Sequence, residues 1–295
     1  MKFSAVRAGV NLSLFVGLVG VLLGPYVLLL ALVPRRRHHV AKLFFKGCSA
    51  LTGLRLNVSG KIGDGVVLFA ANHASYLDIP VLGATISGGV FVAKSEVADW
   101  PLFGFLARIS RTVFISRNAS DATQQRALLA GRMNKGSSLI LFPEGTSTDG
   151  SHIRPFKSTL FAALDDVDRE AWVQPVSIIY ARHRGGELMS QTTRENYTWF
   201  GDMTLAPHLL NVFGAMGCEV DVVFHEPLNA GDFSDRKLLA KSCEEAVFKQ
   251  LIETLSSDEP VALPAAQNQS EPEEQNGDTT VFTSLMEPTP HVSAD

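Results

Sequence analysis

Residues Val10–Val33 form an uncharged run of 24 residues in which only Asn11, Ser13 and Tyr26 are polar. That length is enough to cross a bilayer as one helix. A cleaved signal peptide fits less well: the apolar core exceeds a signal h-region, and no A-x-A-like site precedes Pro34. Arg35, Arg36 and Arg37 follow directly, with Lys42 and Lys46 close behind. The positive-inside rule places the downstream body in the cytoplasm. Lys2 and Arg7 make the other flank positive too, and Gly24-Pro25 interrupts the run. Residues 1–34 are therefore expected to be a membrane anchor, either a single span or a kinked re-entrant pair with both ends cytoplasmic.

From residue 35 to 53 the pattern changes. Val40, Leu43, Phe44, Cys48 and Leu51 recur at helical spacing, with Lys42 and Lys46 off that stripe. This predicts an amphipathic helix in the headgroup region with its basic edge toward an anionic membrane surface. A helix facing an ordinary core has the same signature.

Residues 54–255 alternate short apolar runs with helical spacing. Leu54–Val58, Val66–Ala71, Phe91–Ala93, Thr112–Ser116, Ser138–Phe142, Val173–Tyr180 and Glu219–Phe224 read as strands. Val97–Ile109, Asp121–Asn134 and Ser234–Leu255 read as helices. Continuously apolar strands between helices predict an α/β domain: a mixed, mostly parallel sheet flanked by helices. Beyond residue 255 apolar periodicity stops, and 256–295 is expected to be a disordered acidic tail. From Asp258 onward the tail holds eight acidic residues and no Lys or Arg, so the formal −4 of the chain becomes +4 for the body. That weak positive balance suits anionic lipid and is too small and too scattered for nucleic acid. Cys48, Cys218 and Cys243 form no C-x-x-C pair, and the eight His show no ligand spacing, so neither a disulfide framework nor a metal is expected. Nucleotide-loop glycine motifs are also missing.

Three short stretches carry chemistry. His73 is followed five residues later by Asp78, just after the apolar run Val66–Ala71. An imidazole can accept a proton near neutral pH, and a carboxylate on its other nitrogen fixes the tautomer and stabilises the imidazolium. This is a Ser-His-Asp triad without its serine, which suffices if the substrate supplies the hydroxyl. Phe142-Pro143-Glu144-Gly145-Thr146 follows another strand, at the sheet edge where open α/β proteins bind ligands. Gly145 permits close backbone approach there. Arg111–Arg117 is a strand ended by a cation whose planar fork suits an anion. Taken singly, each also reads as a helix cap, a turn and a solvated arginine.

In order and spacing, Asn72–Asp78, Phe114–Arg117, Phe142–Thr146 and Val173–Ile178 together resemble the glycerophospholipid acyltransferases, and most closely the bacterial 1-acyl-glycerol-3-phosphate type. Ala93–Glu96, Pro101–Gly104 and Pro155–Ser158 look like family sequence as well. The resemblance implies an O-acyltransferase on the cytoplasmic face of a bacterial inner membrane. Its co-substrate would be acyl-CoA or acyl-acyl carrier protein, and its partner a membrane lipid acceptor. No cofactor is implied. His73 would be the general base on the lysolipid hydroxyl, oriented by Asp78. Arg117, Glu144, Gly145, Thr146 and Lys157 would bind the acceptor, and Pro175 would wall the pocket. No G-x-S-x-G elbow or Cys-His motif accompanies them, so no covalent acyl-enzyme is suggested.

Two positions depart from the family pattern. Ser147 stands where an Arg commonly follows the Thr, and Arg111 where a Gly commonly opens the second block. Arg111, Arg154 or Lys157 would have to replace the missing cation, or else the acceptor is not a phosphate monoester. The first acceptor expected is 1-acyl-glycerol-3-phosphate, giving phosphatidate; the alternative is lyso-ornithine lipid. A catalytically silent scaffold of the same fold and a thioesterase are the remaining readings.

Overall fold

The structure is a computed structural model and describes residues 3–32, 37–100, 102–116 and 118–257. Arg35, Arg36, Arg117 and the acidic tail from Asp258 lie outside the described residues.

Each expected strand is present: β1 (Arg55–Ser59), β2 (Val67–Ala71), β3 (Val90–Lys94), β4 (Val113–Ile115), β5 (Leu139–Leu141), β6 (Trp172–His183) and β7 (Cys218–Phe224), with a short β8 (Leu228–Asn229). Eight helices accompany them among the described residues: α1 (Ala5–Leu32), α2 (Arg37–Leu51), α3 (Asp78–Thr85), α4 (Phe103–Ile109), α5 (Ala122–Asn134), α6 (Gln191–Arg194), α7 (Leu205–Gly214) and α8 (Arg236–Ser256). The sheet order is β1-β7-β6-β2-β5-β3-β4, with β8 beside β6. All pairings are parallel except those of β6 with β7 and with β8.

Strand β2 is central and buried along its whole length, which is why its sequence is apolar without alternation. Successive side chains still part to opposite faces. Val67, Phe69 and Ala71 join the layer containing Val81 and Leu82 of α3 and Val212 of α7. Leu68 and Ala70 join Leu129 and Met133 of α5 with Leu239 and Val247 of α8.

The N-terminal helix runs unbroken from Ala5 to Leu32 with Pro25 inside it. The helix is not broken at Gly24-Pro25, where the re-entrant alternative would place its turn; proline removes one helical hydrogen bond, and the chain tolerates that loss. Helix α2 packs on both sides. Gly47 lies against Leu18 of α1, and Phe45 lies against Gly83 of α3 so closely that a Cβ there would sit 2.2 Å from the ring. Of its apolar stripe Phe44, Cys48 and Leu51 pack with Phe15 and Phe213, while Leu43 stays exposed.

The single helix expected over Val97–Ile109 is divided. A 3₁₀ segment covers Ser95–Asp99 and α4 begins only at Phe103. Leu102 between them has φ 61°, a left-handed conformation that cannot continue a helix. Helix α7 was not expected, although Thr204 precedes it and Pro207 in its first turn is a permitted helix-start residue.

Gly53 and Gly217 hold the α2–β1 turn against the start of β7. Both have positive φ (74° and 85°), and a Cβ on Gly217 would lie 2.0 Å from the Gly53 carbonyl oxygen. Gly217→Ala is therefore expected to lower stability by about 2–4 kcal/mol through strain and overpacking together. Denaturant melts check this, and an unchanged midpoint would contradict it.

Candidate active site

Strand β2 ends at Ala71, in register with Val176 of β6, but β6 continues to His183. That overhang holds the loop after β2. The Asn72 side chain bonds the Ile178 backbone at both ends: its Oδ1 accepts from the amide at 2.7 Å and its Nδ2 donates to the carbonyl at 2.9 Å. Two residues farther along β6, the Tyr180 hydroxyl donates to Asp78 Oδ1 at 2.7 Å.

Asp78 opens α3 and is 0% exposed. Its other oxygen, Oδ2, accepts from the amides of Ala74 (2.8 Å) and Ser75 (2.9 Å) and meets His73 Nδ1 at 2.8 Å. A buried carboxylate needs such donors to stay charged. With Nδ1 held by the carboxylate, the proton-accepting nitrogen of the neutral ring is Nε2. Nε2 bonds to no described residue, and the His73 side chain is 21% exposed. The ring stacks on Phe142 at 4.2 Å between centroids. The site therefore presents an oriented, accessible base. No Ser or Cys among the described residues hydrogen-bonds it, and all three cysteines are buried.

Glu144 occupies a different place from the open acceptor pocket expected of it. It is 1% exposed, and its two oxygens accept from the backbone amides of His73 and Arg154, each at 2.7 Å. It ties the His73 loop to the loop after β5. Burial, with the Asp78 charge adding to it, pushes its carboxyl up to about 8 against the pull of those two amides. Gly145 has φ +70° and lies under Lys157, whose Nζ would be 2.6 Å from a Cβ at that position. The backbone amides of Thr146 and Ser147 donate to no described residue. Pro175 is buried within β6 opposite Ala70 and lines neither of the two recesses beside the motif.

These recesses differ in character. Tyr76, Leu77, Ile79 and Pro80 form one wall of an apolar cavity of about 150 Å³, lined on other sides by residues of α1, α2, α4 and α7. Gly145, Thr146 and Lys157 line an open groove of mixed character, in which Lys94, Ser116 and Arg126 stand among apolar residues such as Ile115, Leu129 and Leu160. Arg126 is engaged by Asp166. Sequence reasoning missed Tyr180, which lies outside every short-range motif, and the supporting role of Glu144. Among the described residues no cluster of His, Cys, Asp and Glu can hold a metal.

Residues 55–179 match the Acyltransferase family. The lyso-ornithine lipid O-acyltransferase of Rhodobacter capsulatus is 44% identical over 68% of this chain and 71% of its own length. The protein of the same name from Brucella abortus is 38% identical over 72% and 81%. A 1-acyl-sn-glycerol-3-phosphate acyltransferase of Neisseria gonorrhoeae is 29% identical over 72% and 81%. The crystal structure of the corresponding Thermotoga maritima enzyme shares the fold at a TM-score of 0.57 and 23% identity, covering 84% of this chain and 97% of that one. The chain thus belongs to the acyltransferase family and is an O-acyltransferase of lysolipids.

Proposed function

We propose that the chain transfers an acyl group from a thioester, acyl-CoA or acyl-acyl carrier protein, to the free hydroxyl of lyso-ornithine lipid. The observation that carries this choice of acceptor is the ranking of relatives. Those named for lyso-ornithine lipid match at 34–44% identity, and the Neisseria proteins named for 1-acyl-glycerol-3-phosphate at 29–30%. It reverses the order in which the motifs alone rank the two acceptors. Ser147 supports the change. An ornithine headgroup offers a carboxylate and an ammonium in place of a phosphate monoester, so one cation fewer is needed. Lys157 over Gly145, beside the unengaged amides of Thr146 and Ser147, suits a single carboxylate.

In this mechanism His73 Nε2 takes the hydroxyl proton as the oxygen attacks the thioester carbonyl. The C–O bond forms, the C–S bond breaks, and the leaving thiolate recovers the proton from the imidazolium. Asp78 balances the transient charge. General-base assistance supplies about 10²–10⁴-fold, so positioning of both chains and stabilisation of the oxyanion supply the remainder.

The membrane is met in the plane of α1. Between Ser4 and Tyr26 this segment touches the domain at five points: Ser4 amide to Gly214 carbonyl, Arg7 to Ala215, Asn11 Nδ2 to Phe213 carbonyl, Phe15 against Phe213, and Tyr26 hydroxyl to Ile109 carbonyl. Val6, Val10, Leu14, Val21, Leu28 and Leu32 face outward. A helix of 28 residues, about 42 Å long, is long and apolar enough to cross a bilayer, and its contacts with the domain favour the reading in which it lies along the membrane surface. The basic residues after it favour docking on the cytoplasmic face.

Two measurements test these readings. Under one acyl donor, lyso-ornithine lipid is expected to be turned over faster than lysophosphatidate; turnover of lysophosphatidate alone would overturn the acceptor assignment. Phe3→Cys and Leu32→Cys are expected to react with an impermeant thiol reagent from the same membrane side, with little background because the native cysteines are buried. Labelling from opposite sides would establish a span.

A further inference from the structure

We infer that Tyr180 is a positioning residue of the transfer reaction, acting through Asp78 on the base His73. The inference rests on the base assignment proposed above. Asp78 Oδ2 is saturated by three partners, whereas Oδ1 receives one hydrogen bond among the described residues, from the Tyr180 hydroxyl. Tyr180 is 1% exposed and Asp78 0%, so water does not stand in for the phenol. Burial first, and the Asp78 charge next, raise the phenol far above its ordinary range, which keeps it a donor throughout the working pH.

Geometry gives that hydrogen bond two effects. It blocks rotation of the carboxylate about its terminal torsion, because a rotated group would leave Oδ1 orphaned or break the amide pair on Oδ2. It also spreads the negative charge of Asp78 over the phenol, which alters the field that the carboxylate places on the His73 ring. Other titratable groups set against the pair are Glu144 from the loop after β5, Tyr76 with its partner His208 of α7, and Cys218 at the start of β7. All are retained when Tyr180 alone is changed. Because Tyr180 is buried beneath Asp78, its contribution falls on kcat and not on either KM.

The test compares the full chain with Tyr180→Phe in mixed detergent–lipid micelles. Loss of a hydrogen bond to a charged group is expected to lower kcat by about ten- to a hundredfold, with both KM values unchanged. The acid limb of the pH–rate profile is expected to move to higher pH by roughly half to one unit. In an Asp78→Asn background, adding Tyr180→Phe is expected to cost little more, since the phenol acts through that carboxylate. His73→Ala is the control. If it is inactive while Tyr180→Phe keeps the wild-type kcat and profile, the inference fails and the base assignment stands. If His73→Ala retains full activity, the base assignment fails. A fall in kcat without movement of the acid limb, or full additivity with Asp78→Asn, would reduce Tyr180 to a packing residue and overturn the inference. Should Tyr180→Phe lose its cooperative melt, replacing Tyr180 by 3-fluorotyrosine keeps the shape and strengthens the donor. The acid limb is then expected to move to lower pH, and a stationary limb would overturn the inference.

Discussion

Burying a carboxylate is costly unless donors surround it, and Asp78 takes them from two separate parts of the chain. The motif's own amides at Ala74 and Ser75, the His73 ring and the Tyr180 hydroxyl of β6 all converge on it. Much of the site's local structure follows from meeting that requirement. The loop after β2 must curl so that two consecutive amides point inward, which places Asp78 at the start of α3, where the helix dipole also favours a negative charge. Strand β6 must overrun β2 to bring Tyr180 within reach. Glu144 repeats the device one loop away, fixing the His73 and Arg154 backbones through two amides.

The same construction separates the chemistry from the lipid. The His73 ring is held through Nδ1 by Asp78, while Nε2 bonds to no described residue. Helix α1 contributes Phe15, set against Phe213 of α7, to the wall of the apolar cavity. In the proposed membrane placement of α1, this wall is where an acyl chain would enter from the bilayer.

Much of this was legible in the sequence, for identifiable reasons. The strands were visible because a sheet buried on both faces demands unbroken apolar runs, as Val67–Ala71 shows. His73 and Asp78 were visible because their partnership is local, within one turn of chain. Tyr180 was not, since its partner is 102 residues away and its neighbours Ile178 and Ile179 give it the look of a core residue. Glu144 was recognised as part of the site but placed toward the substrate. Only coordinates reveal that both its oxygens are spent on backbone amides. The division of Val97–Ile109 was hidden because Val97, Trp100, Phe103 and Leu106 do face one cavity at helical spacing, although Leu102 breaks the helix between them. The acceptor was not legible: the departures at Ser147 and Arg111 left both headgroups open, and the ranking of relatives carries the proposed choice.

The central claim is that the substrate hydroxyl is the nucleophile and the protein supplies only an oriented base. Initial-rate kinetics with both substrates varied test it most directly. Direct transfer within a ternary complex is expected to give intersecting double-reciprocal lines, and no acyl group is expected to remain on the protein when acceptor is withheld. Parallel lines, with an acylated side chain recovered from the donor-treated enzyme, would contradict the account.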